Sequence, residues 1–141
     1  MKIFICGSMH FAKEMLEAKK KLEEVGHTVE VPCDTQKFVD NSEMTTDNHE
    51  ENYKWCIDND IIRECFNSIA KNDAILLLNY PKNELNGYVG ASGLMEIGLA
   101  YYLNKKIFLL YPPPSVKEAK YSHEIIIMQP IILNGNLNLI S

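Results

Sequence analysis

The stretch that could carry chemistry is Asn86-Gly-Tyr-Val-Gly-Ala-Ser-Gly-Leu-Met-Glu96-Ile-Gly-Leu-Ala100, a glycine-rich run that passes into an apolar helical pattern. Side chains three and four apart are lateral neighbours on a helix. For Glu96 these are Ser92, Gly93, Leu99 and Ala100, none of them basic. An acid in such company must face water, find a distant partner, or react. The glycines before it let a ligand approach the backbone, and the helix N-terminus beyond them favours negative charge, on a bound phosphate or on Glu96 itself. A lone carboxylate beside small-residue loops fits nucleophilic attack at a sugar anomeric carbon, with a second group assisting the leaving group. Spacing alone fits a solvent-facing helix glutamate somewhat better. Gly7-Ser8, after the first apolar run, reads either as an anion nest or as a tight strand-to-helix turn.

These residues need a scaffold, and the chain's pattern supplies one. Lys2–Cys6 is a short apolar run, and Phe11, Met15, Ala18, Leu22 and Val25 then recur at helical period up to Gly26. Thr28–Val31 is a second strand ended by Pro32, so the first thirty residues form a βαβ unit with a parallel sheet. The polar stretch from Cys33 to Glu51 shows no period and is expected to be a long loop, a lid or a surface excursion. Tyr53–Lys71 is expected to be one helix, Ala74–Leu78 a central strand, and the Glu96 helix to run to about Asn104. Lys106–Leu110 is a fourth strand, Ser115 and Glu118 have capping-box spacing for a last helix, and Pro130–Leu133 is a fifth strand.

Strands alternating with helices predict a three-layer α/β fold over residues 1–141 as one domain: a five-stranded parallel sheet, order 2-1-3-4-5, Rossmann- or flavodoxin-like. In that order ligands bind at the carboxyl ends of strands 1 and 3. Two loops flank the crevice there, Gly7-Ser-Met-His10 and Asn79 to Ser92, which makes Gly7, Ser8, Met9, Asn79, Tyr88, Gly90 and Ser92 the expected substrate-binding residues around Glu96.

Composition narrows the partners. A formal net charge of −5 argues against a nucleic-acid polymer. No apolar run would span a membrane, no signal-peptide pattern opens the chain, and the four scattered cysteines read as reduced thiols, so a cytoplasmic protein is expected. His10, His27, His49 and His123 lack metal-ligand spacing with the cysteines, and neither common nucleotide fingerprint is present. No metal and no cofactor are expected.

With these residues in view, the chain resembles the nucleoside 2-deoxyribosyltransferase-like superfamily, which includes the deoxyribosyltransferases and the 2′-deoxynucleoside 5′-monophosphate N-glycosidases. The likeness lies in Ile3-Phe-Ile-Cys-Gly-Ser8, in Asn72-Asp-Ala-Ile-Leu-Leu77, and above all in Gly93-Leu-Met-Glu-Ile-Gly-Leu-Ala100 followed by Asn104-Lys-Lys-Ile107. It implies that Glu96 is a nucleophile toward C1′ of a nucleoside or its 5′-monophosphate, that Gly7 and Ser8 line the sugar or phosphate site, and that the loop around Tyr88, Gly90 and Ser92 closes over the sugar. It also implies a homo-oligomer. Three positions depart from the family's pattern. Phe4 stands where a tyrosine is common, Cys65 where an aspartate assists the base's departure, and Gly90 where the transferases have an acidic sugar contact. Asp73 matches the pattern but marks the start of a strand and is read as structural. These departures motivate the alternative of a nucleotide-binding or sensing module with weakened catalysis.

Overall fold

The computed structural model describes residues 1–41 and 49–141. Five strands, β1 (Lys2–Cys6), β2 (Thr28–Glu30), β3 (Ala74–Leu77), β4 (Lys106–Leu109) and β5 (Ile131–Ile132), form one sheet in the order β2-β1-β3-β4-β5. Every pairing is parallel, with Ile3 opposite Val29 on one side and Ala74 on the other. The expected topology is therefore present, and the carboxyl ends of β1 and β3 lie side by side, with Cys6 opposite Leu77.

Strand residues alternate between two cores because successive side chains point to opposite faces. Ile3, Ile5, Leu76, Leu78 and Phe108 pack with Met15, Ala18 and Leu22 of α1 (Ala12–Glu24). Phe4, Cys6, Ile75, Leu77 and Leu109 pack on the other face with Ile69 of α4 (Ile61–Lys71) and Ile97 and Ala100 of α5 (Ala91–Tyr102). Both faces are covered, so β1 and β3 read as continuous apolar runs. Cys6 thus faces the same layer as Glu96. Asp73 accepts a hydrogen bond from the Lys2 N–H at 2.8 Å, a structural tie between β1 and β3.

Local expectations needed correction where short polar side chains compete with the helix backbone. The stretch from Tyr53 to Lys71 is two helices, α3 (His49–Asp58) and α4, broken at Asn59-Asp60. Asp60 takes a left-handed conformation at φ +49°, which Asp tolerates better than most residues, and accepts from Arg63 Nε at 2.9 Å. Ile57, before the break, and Ile62, after it, are both exposed. Of the expected loop Cys33–Glu51, Thr35–Asp40 forms a short helix, α2, and α3 begins at His49; residues 42–48 lie outside the described residues. Val25 is exposed rather than on the buried face of α1, because the helix has ended and Gly26, at φ +100°, reverses the chain. Ser115 Oγ does accept from the Glu118 N–H at 3.2 Å, but its hydroxyl, not its backbone N–H, donates to the Glu118 carboxylate at 2.9 Å, and these bonds close a turn. The helix, α6, starts only at Ser122 and runs to Ile127.

Two braces fix the layers around the crevice. Glu30 at the end of β2 accepts from Ser68 Oγ at 2.7 Å and Asn72 Nδ2 at 2.8 Å, which ties α4 to the sheet. Gly87, at φ +70°, lies so close to the chain at Pro112 that a Cβ there would collide with the Pro112 carbonyl oxygen. Gly87→Ala therefore combines a backbone clash with an unfavourable φ, and should cost about 2 kcal/mol or more in equilibrium urea unfolding. Gly98→Ala, inside α5 where an added Cβ meets nothing within 4 Å, should instead be neutral or stabilise by up to about 1 kcal/mol. Equal effects at the two positions would contradict this packing.

Candidate active site

A cavity of about 370 Å³ opens at the carboxyl ends of β1 and β3, within the usual range for small-ligand sites. Gly7, Ser8, Met9, Tyr88, Gly90, Ser92 and Glu96 all line it. Asn79 does not. Its side chain is buried, accepts from the Tyr111 N–H at 2.9 Å and donates to the Tyr111 carbonyl at 2.7 Å, so it locks the β3–α5 loop onto the strand-4 exit.

The first wall is the turn after β1. Gly7 sits at φ +147°, and a Cβ there would lie 3.2 Å from the Leu78 carbonyl oxygen, so the turn can pass this close to β3 only with glycine. Ser8 follows in extended conformation and caps a single 3-10 turn, Met9–Phe11, its hydroxyl accepting from the His10 N–H at 3.2 Å. Lys82 Nζ donates to the same hydroxyl at 3.0 Å and lies 5.4 Å from the centre of the Tyr88 ring. Lys82 is the one cationic side chain among the described residues lining the cavity. It is held in place by a tight turn, in which Lys82 and Leu85 exchange backbone hydrogen bonds at 3.1 and 3.0 Å across left-handed Asn83 and Glu84. Lys82 was not singled out from sequence, because a lone lysine in a polar loop has no signature. Its neighbour Ser8 is far away along the chain.

The second wall is the start of α5. Gly90 is its N-cap and makes no side-chain capping bond, so first-turn N–H groups remain free to meet an anion. Gly93 packs against Leu77, where a Cβ would sit 3.3 Å from that side chain, and this close approach brings α5 down onto β3. One turn further, Glu96 is only 9% exposed. The Cys6 thiol faces its carboxylate. Burial pushes Glu96 above the ordinary carboxylate range, and the neighbouring thiol partly opposes that rise by favouring the charged form. Cys6 itself is pushed well above the usual thiol range, by burial first and by Glu96 second.

Phe4, fully buried, packs in the core beneath this layer. Cys6, two residues on and on the same sheet face, is the β1 side chain that faces Glu96. That alternation was the signal available in the sequence. Cys65 lines the cavity, and its thiol is pushed up to about 12, by burial first, then by the charges of Glu96 and Asp34. A thiol that holds its proton this firmly is a poor general acid. Among the described residues no cluster of His, Cys, Asp or Glu is arranged to hold a metal, and no helix is long and apolar enough to cross a membrane.

The sheet order and the helix layers define a three-layer, doubly wound α/β fold. Among solved structures, the chain is similar to a CMP N-glycosidase from Clostridium botulinum, at 20% identity and a TM-score of 0.50, over 94% of this chain and 84% of that one. At that identity the likeness establishes the fold, the level at which the resemblance read from the sequence is met. No family model and no curated protein matches the sequence.

The buried carboxylate has a thermodynamic signature. Glu96 binds its proton more tightly in the folded state than in the unfolded chain, where its value is near 4.5. Its charge therefore destabilises the fold above the folded-state pKa, and that cost fades as pH falls through this value toward 4.5. Glu96→Gln should raise the thermal midpoint at neutral pH, with a gain that shrinks on acidification. A variant less stable than wild type at neutral pH would contradict the burial of a charged Glu96.

Proposed function

We propose that this chain cleaves the N-glycosidic bond of a nucleoside 5′-monophosphate, with Glu96 as the nucleophile. The observation that carries the reading is one cavity with a buried carboxylate in its α5 wall and the Ser8–Lys82 pair in its β1 wall. A phosphate fits the second feature: Lys82 supplies the charge, and Ser8, Ser92 and the free N–H groups of α5 supply donors. An ionised Glu96 oxygen attacks C1′ as the C1′–N bond breaks, its electron pair leaving with the base. The resulting glycosyl ester is resolved by water, or by a second base in a transferase. That the similar solved structure is described as a CMP N-glycosidase supports the same chemistry for this pocket.

The firmly protonated Cys65 favours a second reading, a binding or sensing module that keeps the pocket without turnover. A panel of nucleosides and their 5′-monophosphates, followed by chromatography of released base, separates the two. Base release from monophosphates is expected, falling at least about a thousandfold in Glu96→Ala. Lys82→Ala should raise KM for monophosphates roughly tenfold, the worth of one charge-assisted contact, and leave nucleosides unaffected. Added acceptor base diverts product in a transferase only. Thermal stabilisation by nucleotides with no base released would favour the binding module.

A further inference from the structure

Within the N-glycosidase reading of this cavity, on which the inference rests, we infer that Asp34 is the acid that protonates the departing base. The residue follows β2 by a short turn, Val31-Pro-Cys33, and stands at the entrance to α2. It is 7% exposed, yet it lines the cavity that Glu96 lines. Its position suggests a helix cap, but its side chain makes no capping bond. The turn that carries it is braced independently: Thr35 donates through its hydroxyl and its N–H to the Pro32 carbonyl, at 2.7 and 3.0 Å. A carboxyl group buried at a cavity wall without a capping role is costly to keep. Among the described residues, its surroundings comprise one attractive charge, Lys37 on α2, and three thiols: Cys33 in its own turn, Cys56 on α3 and Cys65 on α4.

Cys65 relates the two acids, since its thiol senses the charge of both Glu96 and Asp34. The aspartate expected at that position is therefore replaced by an acid from a different element, reaching the same part of the cavity. Burial pushes both carboxyl groups toward holding a proton; the Cys6 thiol opposes this at Glu96, and a backbone N–H and the Lys37 charge oppose it at Asp34. Asp34 and Glu96 are the two carboxyl residues among the described residues lining the cavity, so with Glu96 as the nucleophile Asp34 is the one left to supply the proton.

The step balances. As Glu96 forms its C1′–O bond, the C1′–N pair passes to the base, and the Asp34 proton goes to a ring nitrogen or carbonyl oxygen of that base. Asp34, now ionised, takes a proton from the water that attacks C1′ and frees Glu96. The net change is nucleotide plus water to free base plus sugar phosphate.

The test compares two substrates, a nucleoside 5′-monophosphate turned over by the wild type and the matching 5-phosphosugar 4-nitrophenyl glycoside, whose nitrophenolate leaves without a proton. Asp34→Asn should lower base release roughly 10²- to 10⁴-fold, and single-turnover nitrophenolate release by less than about tenfold. The wild type gives the same contrast without substitution: raising pH suppresses base release more than nitrophenolate release. Equal losses on both substrates, or base release by Asp34→Asn within about threefold of wild type, would overturn the assignment to Asp34. A wild type inactive on every nucleotide and on the nitrophenyl glycoside would instead overturn the N-glycosidase reading itself.

Discussion

A glutamate brought almost entirely out of water, with no basic partner among the described residues, is the constraint around which this molecule is arranged. Glu96 sits in the second turn of α5, 9% exposed, and faces a thiol. An arginine or lysine beside it would ionise it more firmly but would also tie up the oxygen lone pairs that a nucleophile needs. A thiol is a weak donor and leaves those lone pairs available. Cys6 can play this part only because it ends β1 on the face that α5 covers.

The rest of the crevice follows from how closely backbone can approach backbone. Gly7 lets the turn after β1 pass the Leu78 carbonyl, Gly93 lets α5 settle on Leu77, and Gly87 lets the intervening loop lie against Pro112. The loop is then held from outside by Asn79 on Tyr111 and by the Tyr121 hydroxyl on the Val89 carbonyl, at 2.6 Å. A scaffold fixed at this many points presents Lys82 and Ser8 at one wall and two carboxyl groups at others, with little freedom left to lose on binding.

The sheet and its order could be read from the sequence because β1 and β3 are buried on both faces, which leaves continuous apolar runs bounded by glycine or asparagine. The cavity positions of Gly7 and Ser8 were also legible, since they follow the first of those runs, and that of Glu96 because a glycine-rich loop passes there into a helix with no basic neighbour. What escaped was of two kinds. The break at Asn59-Asp60 is local chemistry outvoting an apolar period that runs through it, and the turn at Ser115–Glu118 is capping chemistry without a helix to cap. Cys6, Lys82 and Asp34 escaped for another reason. Each acquires meaning from a neighbour brought close only by the tertiary fold, and an aspartate after Pro32-Cys33 in a polar stretch looks like any surface residue. Asn79 failed in the opposite direction: the loop it opens does border the cavity, but its amide is spent on holding that loop.

The most direct measurement is covalent capture. A nucleoside 5′-monophosphate carrying fluorine at C2′ should react slowly enough for a glycosyl ester to accumulate, and intact-mass spectrometry followed by peptide mapping locates it. Glu96 as nucleophile predicts a mass increase equal to one fluorinated sugar phosphate, on the peptide that contains Glu96 and absent from Glu96→Gln. Protein that releases base while the Glu96 peptide stays unmodified, or carries the adduct on another residue, would contradict it.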